Sequence, residues 1–218
     1  MTINLDEQRI AVTIKESSLE KLKVFGDEKD DWDKIINNAL SIIQNSSSNI
    51  DDPFLGVKDA PVTILEFSDF ECYYCMEVLP VIKKILQMYK GKIKVVFKNF
   101  PRTLKHFNAT NAHVAALCAK NQGKFWEFHD QLFKNMNNLK PDIIIQIAED
   151  LGLDVTSFNK CQNNEELLLK IFKDKEEGNI LGVRRVPTFF VNGLKIEGSA
   201  SFDQFAICID KVLNNSNK

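Results

Sequence analysis

Apolar residues beyond position 55 fall into short runs that predict strands. Residues 62–67 and 93–98 are rich in valine, isoleucine and phenylalanine, as buried strands are. A third run, residues 186–191, leads into Asn-Gly and a short apolar stretch at 194–196. Because Asn-Gly is a strong signal for a tight hairpin, we expect the last two strands to pair with each other.

Helical spacing of apolar residues fills most of the chain between these runs. One helix is predicted from residue 72 to about 90, and Pro80 inside it should produce a kink. The spacing is helical from about 108 to 182, and a last amphipathic helix follows from about 202 to 213. The order strand, helix, strand, helical insert, hairpin and helix predicts an α/β fold.

The first 46 residues follow a separate pattern. Residues 9–14 alternate like a half-buried strand, and two amphipathic helices follow them. Such a small strand–helix–helix module cannot bury its apolar faces alone, so we expect it to pair with itself or to dock on the rest. A polar linker at 47–54 separates it from the main domain, predicted at 55–218.

Composition and charge limit the kinds of partner that this chain is expected to bind. The chain has 218 residues, of which 44% are hydrophobic, and a net charge of −2. This charge provides no general attraction to nucleic acid or to anionic membranes. No apolar stretch approaches the roughly 18 residues of a membrane span. The N-terminus lacks a basic region followed by an apolar one, so we expect no signal peptide and a cytoplasmic location.

The most informative motif is Cys72-Tyr73-Tyr74-Cys75, directly after the run at 62–67. A helix that begins at Cys72 points its free N–H groups at the first sulfur and favours the thiolate, the form that attacks a disulfide. The spacing lets Cys75 attack a mixed disulfide formed on Cys72. The motif therefore predicts a redox-active dithiol–disulfide pair, although metal sites use the same spacing.

Residues far from the motif support this interpretation. Glu66 should point inward beneath the cysteines, six residues before Cys72. A cis peptide bond before Pro187 could hold the backbone of Val186 beside the sulfurs, where an extended substrate could pair with it. An ordinary proline at a strand entry, and an ion pair of Glu66 with Lys98, are the simpler alternatives.

Taken together, these residues resemble the DsbA-like branch of the thioredoxin superfamily, over about residues 53 to 215. The matching segments are Phe67 to Cys75, Asn99-Phe100-Pro101 with His106, Cys118-Ala119, Gln122 to Trp126, and Val183 to Asn192. The resemblance implies a thioredoxin fold with a helical domain inserted before the cis-proline strand.

The resemblance also implies a function. The chain would be a protein thiol–disulfide oxidoreductase, with Cys72 as the exposed nucleophile and Cys75 as the buried resolving thiol. Glu66 would be the buried acid that assists proton transfer at Cys75. Val186 and Pro187 would bind substrate, together with Tyr73 and Tyr74. Its partners would be protein dithiols or disulfides and an unidentified redox partner, with no cofactor and no metal.

Two residues depart from the family pattern. Many members carry proline after the first cysteine, and the strong oxidants carry histidine before the second, whereas Tyr73 and Tyr74 stand here. Tyrosine cannot offer a cationic imidazole to the thiolate. We therefore expect a less depressed pKa of Cys72 and a less oxidising disulfide than in a histidine-bearing member.

Cys118 and Cys161 both fall in the helical insert, where members of this branch sometimes carry cysteines. They could form a structural disulfide or remain two buried thiols, and a reducing cytosol favours the thiols. Cys208 is expected to be a small buried core residue. Of the histidines, His106 and His129 are expected at the surface or as caps, and His113 in packing.

Two alternatives to catalysis remain open. One is a metal that bridges two protomers through two copies of the Cys72–Cys75 pair, since no second such motif exists within one chain. The other is a redox-responsive regulatory protein, in which the thioredoxin-like domain senses oxidation and the N-terminal module carries dimerisation or DNA contact.

Residues 9–44 loosely resemble a ribbon-helix-helix unit, in which two strands pair across a dimer. In that family the outward strand residues, here Arg9, Ala11 and Thr13, read the DNA major groove. Residues 1–50 contain six Lys or Arg against nine Asp or Glu, a net charge of −3. This charge argues against nucleic acid as a partner, and we expect a homodimerisation or docking module.

Overall fold

The computed structural model describes residues 52–102 and 108–215. The predicted strand–helix–helix module at 1–46 lies outside the described residues, as do His106 and most of the predicted linker. The predictions made for that module are therefore not tested by the structure.

The chain divides into two compact units. Asp52–Lys175 and Arg185–Lys218 form one unit, and the described residues 176–184 fall in the other. The described residues contain helices and strands in the predicted α/β order. In chain order they are β1 (Phe54–Gly56), β2 (Val62–Ser68), α1 (Tyr73–Glu77), α2 (Leu79–Met88), β3 (Ile93–Asn99), α3 (Ala109–Asn121), α4 (Phe125–Lys134), α5 (Pro141–Asp150), α6 (Val155–Cys161), α7 (Glu165–Ile180), β4 (Thr188–Val191), β5 (Leu194–Glu197) and α8 (Phe202–Asn215).

The strands form one mixed sheet in the order β1-β3-β2-β4-β5. β2 and β3 run parallel, with Val62 opposite Ile93, and every other neighbouring pair is antiparallel. The predicted hairpin is confirmed, since β4 pairs with β5 across Asn192 and Gly193. Both turn residues have positive φ, 42° and 90°, as the two-residue turn that suits twisted strands requires.

One face of the sheet carries the main apolar core. Side chains alternate along a strand, so Val62, Ile64 and Glu66 of β2 share this face. α2 and α8 cover its apolar part with buried isoleucine and phenylalanine side chains, each of which stabilises the fold by about 1.5–3 kcal/mol on burial. Glu66 thus places a carboxyl group on a face of the sheet where the preceding β2 side chains, Val62 and Ile64, are apolar.

The helix after the cysteine motif is interrupted as Pro80 suggests. The sequence predicts one kinked helix, whereas the structure has two: α1 ends at Glu77, Val78 caps it, and α2 begins at Leu79. Pro80 lies in the first turn of α2, where its missing N–H costs no helical hydrogen bond. The break lets α1 stay short, so the cysteines sit on a single helical turn.

The helical insert between β3 and β4 packs around aromatic rings. Phe97 of β3 contacts Phe125 and Trp126 of α4, with ring centroids 5.4 and 6.4 Å apart. Trp126 also donates a hydrogen bond from Nε1 to the carbonyl of Phe54, at 3.1 Å. These contacts attach α4 to the same sheet that carries Glu66.

The prediction of two free thiols in the insert is wrong. Cys118 and Cys161 form a disulfide that joins α3 to the end of α6, with their Cα atoms 5.8 Å apart. The expectation rested on a reducing compartment and not on geometry. The packing of α3 against α6 brings the two residues within bonding distance, although 43 positions separate them.

Cys208 is only partly buried. It lies on α8 and packs against the edge of the core, so the expectation of a buried core residue is also corrected. The difference follows from its position on α8, where Phe205 and Ile209 point most directly into the core.

Strand β1 is an element that the sequence pattern did not reveal. It begins inside the range interpreted as a linker, and Phe97 extends its pairing by donating from N–H to the carbonyl of Pro53, at 2.9 Å. Asp52 just before it is buried and lies 2.5 Å from Nζ of Lys98, whose side chain is 1% exposed. Lys98 therefore pairs with Asp52. It lies opposite Phe67 in the parallel pairing and so points to the other face of the sheet from Glu66, which rules out the simpler alternative.

Candidate active site

The two cysteines lie where β2 ends and α1 begins. Cys72 is the N-cap residue of α1, with extended backbone angles, and its carbonyl accepts hydrogen bonds from the N–H groups of Cys75 and Met76 at 3.0 and 3.2 Å. Cys75 is fully buried, whereas Cys72 is 8% exposed. Cys72 is therefore more covered than the expected exposed nucleophile, but it is the more accessible sulfur of the pair.

A buried aspartate shapes the loop that presents Cys72. The carboxylate of Asp69 accepts hydrogen bonds from the N–H of Glu71 at 2.9 Å and of Arg102 at 2.6 Å. The carbonyl of Asp69 accepts from the N–H of Cys72 at 3.0 Å. One residue thus ties the motif to the loop after β3 and sets the backbone at the start of α1.

The environment drives the pKa values of the two thiols apart. The pKa of Cys72 falls to about 6, because the Cys75 side chain hydrogen-bonds to it and the backbone N–H groups of Cys75 and Tyr74 add to the effect. Partial burial and the Asp69 charge oppose this fall. Burial and the neighbouring Cys72 raise the pKa of Cys75 well above 9. One sulfur is therefore held as thiolate and the other as thiol.

The cis peptide bond expected before Pro187 is confirmed. The carbonyl oxygen of Val186 lies 3.5 Å from Sγ of Cys72 and accepts a hydrogen bond from it when Cys72 is protonated. Val186 and Pro187 are both buried at this point. The edge of the chain that enters β4 thus borders the reactive sulfur, 114 positions away in sequence.

Glu66 lies under the motif, as predicted, and is 2% exposed. Burial raises its pKa to about 7, and the neighbouring Ser68 hydroxyl opposes the rise. The same hydroxyl also acts on Cys75, where it lowers the thiol pKa. Ser68 therefore stands beside both the carboxyl and the buried sulfur, on the face of β2 that Glu66 shares.

The two tyrosines of the motif are the most exposed side chains at the site. Tyr73 is 57% and Tyr74 is 59% exposed, and their rings meet edge to face with centroids 5.7 Å apart. Large aromatic side chains in contact with solvent beside a reactive sulfur offer an apolar surface to an extended polypeptide.

Sequence reasoning overlooked three residues at or near the site. The sequence predicted no separate role for Asp69 and Ser68, which belong to a segment that matches the family. A short polar pair at the end of a strand is nevertheless a signal for hydrogen bonds that shape the following loop. His129 was expected at the surface and is instead 3% exposed. His113, expected in packing, is fully buried, and burial lowers its pKa to about 4.

The described part of the chain shows neither a metal cluster nor a membrane span. Within residues 52–102 and 108–215, no group of three or more His, Cys, Asp or Glu side chains is placed to hold a metal ion. Over the same ranges, no helix has the length and apolar character needed to cross a bilayer.

Comparisons with known proteins agree with this geometry. The sequence model of the family described as Thioredoxin matches residues 48–211. The Bacillus cereus protein named "Probable disulfide bond formation protein D" is 30% identical over 193 residues, which cover 80% of this chain and 88% of that protein. A crystal structure of Wolbachia pipientis α-DsbA1 superposes with a TM-score of 0.68 at 26% identity, covering 78% of this chain and 96% of that one.

A further group of relatives is much longer. Na⁺/H⁺ antiporter NhaA 1 of Salinispora arenicola is 34% identical over 154 residues, which are 71% of this chain and 24% of the antiporter. This chain therefore spans about a quarter of the length of the antiporters that it matches.

The family match covers more than half of the chain and coincides with the sheet, the motif and the helical insert. The chain belongs to the thioredoxin family. Within that family its sequence is similar to the Bacillus cereus protein named for disulfide bond formation, and its fold to that of Wolbachia pipientis α-DsbA1.

Proposed function

We propose that this protein exchanges disulfides with protein substrates, with Cys72 as the nucleophile and Cys75 as the resolving thiol. The observation that carries the proposal is the opposed pKa shift of two adjacent sulfurs, to about 6 at Cys72 and well above 9 at Cys75. A low-pKa thiolate at the more accessible position and a protonated thiol behind it are what ordered exchange requires.

In the oxidising direction, a substrate thiolate attacks Sγ of Cys72 in the Cys72–Cys75 disulfide. The enzyme S–S bond breaks, a mixed disulfide forms, and Cys75 leaves as a thiolate that takes up a proton. A second substrate thiolate then attacks the substrate sulfur, so the substrate is oxidised by two electrons and Cys72 leaves as a thiolate. The reductive direction is the reverse, and the potential of the redox partner sets which one runs.

Glu66 is the proposed proton donor and acceptor for Cys75. Its pKa of about 7 keeps a substantial fraction in each protonation state near neutral pH, which is where a general acid–base works best. Ser68 lies beside both groups and is a natural bridge for the proton. The role of Glu66 is thus supported by burial, pKa and position together.

Substrate is proposed to bind along the edge at Val186 and Pro187. Extended chains pair with free backbone edges, and the carbonyl of Val186 is already within reach of Cys72 Sγ. Tyr73 and Tyr74 would contact side chains next to the substrate cysteine. Such a site recognises an unfolded or extended segment by its backbone, with a preference for apolar neighbours.

The proposal is tested by turnover and by trapping. The purified protein should reduce insulin or oxidise reduced ribonuclease, depending on the redox buffer. Cys72→Ser should abolish both activities, and Cys75→Ala should accumulate a mixed disulfide on Cys72 that mass spectrometry detects. Redox-dependent assembly without turnover would instead support the regulatory alternative.

We propose further that the protein works in an oxidising compartment, contrary to the cytoplasmic expectation. The Cys118–Cys161 disulfide supports this, because such bonds persist outside reducing cytosols. Cell fractionation combined with thiol alkylation tests it. Recovery in the cytosolic fraction with both residues alkylated would contradict the proposal.

Homodimerisation through residues 1–46 is also proposed. Its support is the amphipathic pattern and the net charge of −3 over residues 1–50, which disfavours DNA. Sedimentation of the full chain and of a variant lacking residues 1–50 tests it, and a monomer in both cases would refute it.

A further inference from the structure

A cavity of about 140 Å³ lies between the sheet, α2 and α4, on the face that carries Glu66. Its volume is enough for more than one water molecule. Aliphatic side chains of β1, β3 and α2 form much of the wall. The remaining wall is made by Glu66, Lys83, Trp126, His129 and Asp130.

Two polar atoms buried at this cavity have no hydrogen-bond partner among the described residues. They are Oε1 of Glu66 and Nε2 of His129, on side chains that are 2% and 3% exposed. A buried polar atom without a partner costs about 1–3 kcal/mol, so such atoms are normally satisfied by protein or by water. Both atoms belong to residues that line a space of suitable size.

His129 is connected to the surface at its other nitrogen. Nδ1 lies 3.0 Å from Oδ1 of Asp130, and Oδ2 of Asp130 is 2.8 Å from Nζ of Lys83. Asp130 is 37% and Lys83 is 60% exposed at the side chain. The carboxylate accepts the Nδ1–H proton, which leaves Nε2 as an acceptor on a neutral ring.

We propose that this cavity holds water that carries protons between Glu66 and solvent, with His129 and Asp130 as the residues that position the route. The inference rests on the proposed exchange function and extends it. Without such a route, Glu66 is sealed under the motif and could serve only one proton transfer before it had to be reset. His129 and Asp130 are positioning residues, because neither touches a reacting sulfur.

The step that uses the route is the resolution of a mixed disulfide. Cys75 gives its thiol proton to the Glu66 carboxylate, and its thiolate then attacks Sγ of Cys72. The enzyme disulfide forms and the substrate leaves as a thiolate, so the enzyme is oxidised and the substrate reduced. Glu66 then returns to the carboxylate by passing its proton to cavity water, along His129, and out at Asp130. In the oxidising direction the proton moves inward by the same path.

The charged and titratable groups that face Glu66 come from several elements. Ser68 faces it from β2, and Lys83 from α2 and His129 with Asp130 from α4 share its cavity. Burial lowers the pKa of His129, and the hydrogen bond from His129 lowers that of Asp130. Below neutral pH Glu66 is largely protonated before resolution, so its proton must leave along the route before Cys75 can be deprotonated, and the route should matter most there.

The test compares Asp130→Asn with Glu127→Gln. Both substitutions remove one negative charge from the exposed side of α4, but Glu127 is paired with Lys124 and does not line the cavity. A second variant, His129→Phe, keeps an aromatic ring among Phe70, Phe97 and Phe133 and removes both nitrogens. The full chain is used throughout.

Three quantities are measured for each variant. They are the single-turnover rate of mixed-disulfide resolution as a function of pH, its solvent isotope effect in D₂O, and the Cys72 pKa from thiolate absorbance. We expect Asp130→Asn and His129→Phe to slow resolution on the order of tenfold below neutral pH, where Glu66 starts protonated, and this is less than the 10²–10⁴ of a direct acid–base group. Their isotope effects should rise while the Cys72 pKa stays unchanged.

Each outcome decides one question. Equal pH profiles and isotope effects in Asp130→Asn, Glu127→Gln and wild type would overturn the proton route, provided that wild type turns over. Absence of turnover in wild type itself would instead refute the proposed function. If His129→Phe fails to fold, Asp130→Asn at the exposed end still tests the route.

Discussion

The two cysteine pairs of this domain illustrate how surroundings decide what a sulfur does. Cys72 and Cys75 share one helical turn and are not bonded to each other, with one pKa lowered and the other raised. Cys118 and Cys161 lie on two different helices and are bonded to each other. The first pair is placed beside backbone N–H groups and a buried carboxyl, whereas the second joins packed helices.

The first pair is therefore suited to react with other sulfurs, whereas the second pair cross-links the fold. Neighbouring residues on a helix start can give a pair opposite proton affinities, which drives exchange. A disulfide between residues distant in sequence instead stabilises the fold, because it restricts the unfolded chain. Four experiments probe this contrast, from the largest expected effect to the smallest.

Replacing Cys72 should remove activity, whereas replacing Cys118 and Cys161 should not. Cys72→Ser is expected to lower the rate of insulin reduction by at least ~10³-fold, as loss of an enzyme nucleophile does. The double variant Cys118→Ala with Cys161→Ala should keep most of the rate below its unfolding temperature. A comparable loss in both variants would break the contrast between the pairs.

The same double variant should lose stability instead. For a loop closed over 43 positions, the chain-entropy model gives a stabilisation of roughly 4 kcal/mol. Urea unfolding under oxidising conditions measures the loss, with Cys208→Ala as the single-thiol control. A change within about 1 kcal/mol of wild type would show that this disulfide contributes little to the fold.

Glu66→Gln should alter how stability depends on pH. Burial raises the pKa of Glu66 from 4.5 to about 7, so between these values the folded state binds a proton that the unfolded state has released. The free energy of unfolding of the wild type therefore falls as pH rises through this window and levels off above it. Glu66→Gln removes the loss and should be more stable at pH 8 by up to ~3 kcal/mol.

At pH 4 the difference between Glu66→Gln and wild type should vanish, because Glu66 is then largely protonated in both states. Denaturant unfolding at the two pH values measures this. The Cys118→Ala and Cys161→Ala variant should retain the pH dependence of wild type, since its change lies away from Glu66. A pH-independent difference for Glu66→Gln would argue for a packing effect.

Tyr74→His should make the Cys72–Cys75 pair more oxidising, and this is the smallest of the four expected effects. A cationic imidazole next to Cys72 would stabilise its thiolate further and lower its pKa from about 6. Each tenfold gain in thiolate stability raises the reduction potential of the pair by about 30 mV. Redox titration against glutathione measures the shift, with Tyr74→Phe as the control. A wild-type potential near the strongly oxidising value of about −120 mV would contradict the premise.

Much of this domain could be predicted because its signals are local. The hairpin follows from Asn192-Gly193 and the order of strands and helices from apolar spacing, whereas Pro80 predicts only a kink where the structure has two helices. The cis bond before Pro187 and the burial of Glu66 were also predicted correctly. These two predictions depended on the family resemblance and on the position of Glu66 along a strand.

The residues that escaped prediction depend on distant partners. Three-residue β1 carries no periodicity of its own and exists because β3 offers it hydrogen bonds. His129 sits beside Asp130 in a pattern that suits a surface, yet aromatic rings from β3 and α4 enclose it. Neither outcome can be read from the residues next to them.

The sequence by itself determined that this chain carries a dithiol pair at a strand–helix junction in an α/β fold, because the spacing of two cysteines and the period of apolar residues are properties of consecutive positions. Only the tertiary structure decided which sulfurs bond, that burial raises the pKa of Glu66 to about 7, and that the carbonyl of Val186 borders Cys72. Those features depend on desolvation and on distances between residues far apart in the chain, which arise only when the elements pack.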